Sequence, residues 1–150
     1  MGYTRLLGSR GSVHSKMNKI TFILEQKHTD FNGHVSEAAY LTIANEAIWR
    51  VFNSIGLGQI FLAEKIGPII FDTHMEFKAK AMEGDKVIVH FKAKLSDDCK
   101  KNFRDIDIIN QNGRIAVKIK SNSAFLDLKK RRVVSASDRI GRKFKEYLSD

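Results

Sequence analysis

The sequence predicts an α+β fold in which an antiparallel sheet of about five strands wraps around one long central helix. Three observations carry this expectation. Between Ser36 and Ile55, apolar residues recur at steps of three and four, the period of a helix. From Phe71 to Leu126 the period falls to two, the period of strands with one buried face. Turn signals at Glu83-Gly84-Asp85 and Asn112-Gly113 cut that second region into consecutive strands, so chain neighbours run antiparallel.

Taken in order, Ile20–Glu25 is a short β-branched and aromatic run and reads as a first strand. A polar turn region follows, from Lys27 to His34. In the helix, Leu41, Ala44, Ile48, Val51 and Ile55 form one apolar row, and Tyr40, Ile43 and Ala47 form a second beside it. So wide an apolar face must be wrapped by other structure. Gly56 and Gly58 are its stop signal. After Pro68, residues Phe71, Thr73, Met75, Phe77, Ala79 and Ala81 alternate with polar partners and read as the buried face of a strand. Val87–Leu95 and Phe103–Ile109 are the next two strands, and the latter turns through a two-residue Asn112-Gly113 hairpin into Arg114–Leu126. The tail at 137–149 has Ser137 as N-cap and Ile140, Phe144 and Leu148 at helical spacing. Trp49, Phe52 and Phe31 read as packing residues, one of which would line an acyl tunnel. The strand at Val87–Leu95, or its neighbours, would leave free edges, and pairing with a second copy is one way to bury them.

The length of 150 residues suits one domain with one sizeable core. Residues 1–16 hold Arg5, Arg10 and Lys16 and no acid, have no apolar signal region, and precede a second Met at 17. They read as a leader or tag, with a transit peptide as the alternative, leaving 17–150 as a single domain. Setting those three cations aside from the 26 basic residues leaves 23 against 17 acidic ones, a moderately basic domain. Such a charge suits a polyphosphorylated small ligand as well as nucleic acid. No zinc module, RNA-binding aromatic motif or phosphate-cradling Gly-rich loop is present, so nucleic acid is not the expected partner. No apolar stretch is long enough for a transmembrane helix, and no membrane partner is expected. Cys99 is the one cysteine, which excludes an internal disulfide and accords with a cytoplasmic location.

The chemistry concentrates in His28-Thr29-Asp30-Phe31-Asn32-Gly33-His34-Val35-Ser36-Glu37. Gly33 permits a sharp turn, and Ser36 is a good N-cap. The first amides of a helix lack internal acceptors and sit at the positive end of its dipole. A carboxylate, Asp30, stands six residues before that cap. Thioester hydrolysis needs this pair of features: donors for the oxygen of a tetrahedral intermediate, and a group that attacks the carbonyl or activates water. Asp30 could equally be a turn residue. His28, Asp30 and His34 do not have a familiar zinc spacing, and no metal is expected.

The segment resembles the D-x-x-G-H-V-N-x-x-x-Y-L signature of the 4-hydroxybenzoyl-CoA thioesterase family of hotdog proteins. It reads here as Asp30, Gly33, His34, Val35, Ser36, Tyr40 and Leu41, with Ser36 in place of the usual Asn. The resemblance runs from about Asn18 to Arg132. It implies a hotdog fold and hydrolysis of an acyl-CoA or acyl-carrier-protein thioester, without a cofactor and within lipid metabolism. Asp30 would be the nucleophile or base. Gly33, His34, Val35, Ser36 and Glu37 would form the oxyanion and substrate-binding loop, and Glu46 and Tyr40 are candidates for catalytic support. Lys129, Lys130, Arg131 and Arg132 would meet the CoA phosphates. Such sites form at dimer interfaces, so a homodimer or homotetramer is expected. An acid is common two residues before the catalytic Asp, and this chain has His28 there. The rivals are a non-catalytic acyl-CoA-binding hotdog domain and a hydroxyacyl-thioester dehydratase using His34 and Glu46.

Overall fold

The computed structural model describes residues 17–149; the leader predicted at 1–16 lies outside them. A six-stranded antiparallel sheet carries one long helix on its inner face. The elements run β1 (Lys19–Ile23), α1 (Glu37–Ser54), α2 (Leu57–Glu64), β2 (Ile66–Phe77), β3 (Lys86–Leu95), β4 (Lys101–Ile109), β5 (Ile115–Asp127), β6 (Arg132–Val134) and α3 (Asp138–Lys143). α3 continues into a single π turn, Phe144–Leu148. The sheet order is β1-β3-β4-β5-β2, and β6 pairs with β5 past the end of β4. β3 is therefore interior, and the free edges belong to β1 and β2.

α1 forms where its period predicts. The Ser36 hydroxyl accepts the Ala39 amide as N-cap, and Ala39, Tyr40, Ile43, Ala44, Ala47, Ile48, Val51 and Phe52 are buried. Removing that cap in Ser36→Ala should cost about 1 kcal/mol, read as a lower denaturant midpoint with unchanged slope. Phe52 lies at the centre of the core, edge-on to Phe61 of α2 and Phe91 of β3 at 5.4 and 5.7 Å, and 6.3 Å from Phe144. Ser137 caps α3, and Ile140, Phe144 and Leu148 are buried, as their spacing predicts.

Four expectations are corrected. α1 ends before Gly56 as expected, but Gly56, at φ 81°, leads directly into a further helix, α2, which contains Gly58 and whose Leu57, Ile60 and Phe61 are buried. The β4–β5 connection is a three-residue loop, because Asn110 pairs with Arg114 and the one positive φ in it belongs to Gly113 (80°). A three-residue loop with glycine in the left-handed position satisfies the sheet twist as a two-residue turn would. Third, β2 begins before Pro68, which an edge strand tolerates because its outer N–H has no ladder partner. A bulge after Ile70 removes Phe71 from the predicted face, so Ile70 shares it with Thr73, Met75 and Phe77. That face is only partly covered: Ile70 and Phe77 are 44% and 55% exposed, and Phe71, off the face, is 53% exposed. The reason is that α1 lies over β1, β3 and β4, away from β2. Fourth, Phe31 does not pack; it stands fully in solvent at a turn tip.

Candidate active site

The segment before α1 is folded into a pinch. Thr29 and Val35 form a bridge, and the turn between them is tied by Asp30. The Asp30 amide donates to the His34 carbonyl at 2.7 Å, and the Gly33 amide donates back to the Asp30 carbonyl at 3.0 Å. Gly33 has φ 77°, and a Cβ there would meet nothing within 4 Å, so backbone conformation rather than space calls for glycine. The Asp30 carboxylate uses one oxygen, Oδ1, to accept from the amides of Asn32 (2.8 Å) and His34 (3.2 Å). Among the described residues its second oxygen has no such bond, and the side chain is exposed. Asp30 thus holds the turn through one oxygen of an exposed carboxylate.

The far arm of the pinch leads straight into α1. Val35 donates to the Ala81 carbonyl at 3.3 Å and Ser36 to the His28 carbonyl at 3.0 Å. With Gly33 and His34 engaged inside the turn, four of the five predicted oxyanion residues have occupied amides. The open donors at the helix start are the amides of Glu37 and Ala38, which precede the first intrahelical bond. Ala38 escaped sequence reasoning because a backbone donor leaves no mark in side-chain type. His28 accepts the Glu25 amide on Nδ1 at 2.8 Å, which places its ring proton on Nε2. His34 is half-buried and its backbone bridges Met82.

The remaining candidates are scattered. Tyr40 is buried under the pinch with its ring 6.1 Å from Phe77. Burial pushes its hydroxyl above the ordinary tyrosine value, against a hydrogen bond with the Ala81 backbone that pulls it down. Glu46 is exposed on α1 and is ion-paired with Arg50 one turn on. Lys129–Arg132 form a tight exposed turn whose Lys129 and Lys130 amides both donate to Asp127 Oδ1 at 2.9 Å. That turn follows the end of β5 that pairs with Ile66, whereas the pinch lies beyond Phe77 at the other end of β2. Eleven strand steps separate the two ends, about 35 Å. The basic run and Asp30 are thus far apart within the chain.

A cavity of about 90 Å³ opens between α1 and the sheet, lined by Leu41, Asn45 and Ile48 on the helix and by Ile70, Thr73 and Arg104 on the strands. It begins one turn after Glu37, near the open amides. Among the described residues, no group of three or more His, Cys, Asp or Glu side chains is placed to hold a metal ion. No helix among them is long and apolar enough to cross a membrane.

A family profile described as the thioesterase-like superfamily matches residues 24–144, which include the pinch, β2 to β6 and α3. A Staphylococcus aureus protein solved in complex with CoA superposes with a TM-score of 0.78 at 16% identity, over 87% of this chain and 82% of that one. The 1,4-dihydroxy-2-naphthoyl-CoA thioesterase of Synechocystis gives 0.75 at 15% identity, over 85% and 94%. The 12:0-ACP thioesterase of Umbellularia californica gives 0.75 at 18% identity, over 88% of this chain and 54% of that one. Comparison with curated proteins finds no match. At these identities the superpositions establish the fold.

Proposed function

The chain belongs to the thioesterase-like superfamily, and on that premise we propose that it hydrolyses an acyl-CoA or acyl-carrier-protein thioester to free acid and thiol, with Asp30 as nucleophile or general base. The observation that carries the reading is the divided carboxylate. Oδ1 is anchored by two amides, so the group is held in place, and the other oxygen is left to act. The thioester carbonyl would accept from the Glu37 and Ala38 amides, a contribution on the order of 3 kcal/mol per donor to the transition state. The new bond joins the carbonyl carbon to an oxygen of water or of Asp30, and the C–S bond breaks. In the anhydride route a water then releases the acid and regenerates Asp30. The thiol takes up the proton that water supplies. Neither route calls on a metal.

The same reading includes a homodimer formed along β2. A twelve-residue edge strand with exposed Ile70, Phe71 and Phe77 is a template for pairing. A two-fold through an antiparallel β2 pair would bring the partner's basic run to this protomer's pinch. Lys129–Arg132 would then meet the CoA phosphates across the interface, although they lie far from Asp30 within one chain. Ile70→Glu combined with Phe77→Glu should give a folded monomer by light scattering, with thiol release lost; a monomeric wild type contradicts the interface. A cytoplasmic setting accords with the single, unpaired Cys99.

Product analysis separates this reading from its rivals. Hydrolysis gives free acid and thiol in equal amounts, a dehydratase gives an unsaturated thioester and no thiol, and a sensor gives neither. Glu46, which a dehydratase would need, is already engaged by Arg50.

A further inference from the structure

The inner face of β4 carries a charge in an unusual place. Arg104 is 7% exposed, yet its Nε has no hydrogen-bond partner. Its guanidinium lies against two aromatic faces, 5.7 Å from the Phe52 ring centroid and 5.8 Å from that of Phe91. Burial lowers its pKa to about 10, and among the described residues no carboxylate is ion-paired with it. At neutral pH the group is therefore still charged. A buried cation without a counter-ion is costly, and such groups are ordinarily paired.

Its surroundings are those of a binding end rather than of a core. Arg104, Ser121 and Thr73 occupy one rung across β4, β5 and β2. The Thr73 and Ser121 hydroxyls share a single 2.9 Å hydrogen bond, so one hydroxyl proton remains to donate. All three residues line the cavity that starts near Leu41, one turn along α1 from the open amides, and reaches Ile48. Arg104 lies toward Phe52, the end away from the helix start. Ile106 and Ile119, one rung nearer the helix start, supply the apolar wall between the two ends, and Ile70 closes the far side one rung beyond Arg104.

Resting on the thioesterase reading above, we propose that Arg104, with Thr73 and Ser121, is a specificity site that receives a carboxylate at the distal end of the acyl chain. The substrate class is an ω-carboxyacyl thioester. The carboxylate would supply the missing counter-ion and accept from the guanidinium fork and the free hydroxyl, while the methylene chain lies on the isoleucines. A methyl-ended chain of equal length would leave the cation buried and unpaired, and would be rejected for that reason.

The test measures kcat/KM for matched pairs of ω-carboxyacyl-CoA and methyl-ended acyl-CoA across short to medium lengths, with wild type, Arg104→Met and Arg104→Lys. The wild type should prefer the carboxylate by on the order of a hundredfold at its best length. Arg104→Met should abolish that ratio, Arg104→Lys should retain part of it, and the melting temperature of Arg104→Met should rise because an unpaired charge is removed. Trp49 packs edge-on to Phe52 at 5.3 Å and is the sole tryptophan, so its fluorescence reports binding of each pair without turnover. If no thioester is hydrolysed, the thioesterase reading falls, and the fluorescence preference still decides on Arg104. Absence of any carboxylate preference in both readouts overturns the proposal, as does a preference that survives in Arg104→Met.

Discussion

Asp30→Asn should lose about 10²- to 10⁴-fold in thiol release while folding as the wild type does. The geometry makes this substitution unusually clean. Asn32 and His34 donate to one oxygen of the side chain, and an asparagine can present its own Oδ1 to both. The turn is kept; the negative charge and the second basic oxygen are lost. A stability change within about 0.5 kcal/mol is expected for such an exposed exchange. Asp30→Ala would confound the two roles, since it also frees both amides. A mutant that retains its melting temperature and loses activity assigns Asp30 to chemistry, whereas one that retains activity reduces it to a turn residue.

Phe52→Ala should cost about 3–5 kcal/mol. Against a total stability of about 5–15 kcal/mol for a domain, that removes at least about a fifth of the margin. The ring is fully buried and joins α1 to α2, to β3 and to the C-terminal turn through Phe61, Phe91 and Phe144. It also gives the Arg104 guanidinium one of its two ring contacts. Truncation therefore opens a cavity beside a buried charge, so a loss at or above the upper end is expected. Urea unfolding followed by circular dichroism measures it, and a loss under about 1.5 kcal/mol would show that the aromatic cluster repacks.

The helix with its Ser36 cap, the β3, β4 and β5 strands and the C-terminal helix were legible because each follows a local period with a local stop. The Asp30 segment was legible because its residue types and spacing are specific. What the sequence concealed depends on non-local packing. α2 was hidden by Gly56 at its start and Gly58 within it, although Leu57, Ile60 and Phe61 show helical spacing. The open face of β2 follows from where α1 comes to lie, which no strand period records. β6 is three residues long and exists through pairing with β5. Arg104 was visible in principle: the phase set by Ile106 and Ile108 places Asn102 and Arg104 on the buried side of β4, opposite Phe103, Asp105 and Asp107. The separation of Lys129–Arg132 from Asp30 needed the sheet order.

Thiol release by wild type and Asp30→Asn, followed side by side over a panel of short, long, aromatic and ω-carboxy acyl-CoAs, tests the central claim most directly. The account predicts release by the wild type from at least one class and its collapse in an equally folded mutant. Binding of acyl-CoA with no release by the wild type across the panel would contradict it and leave a hotdog domain that holds thioesters without cleaving them.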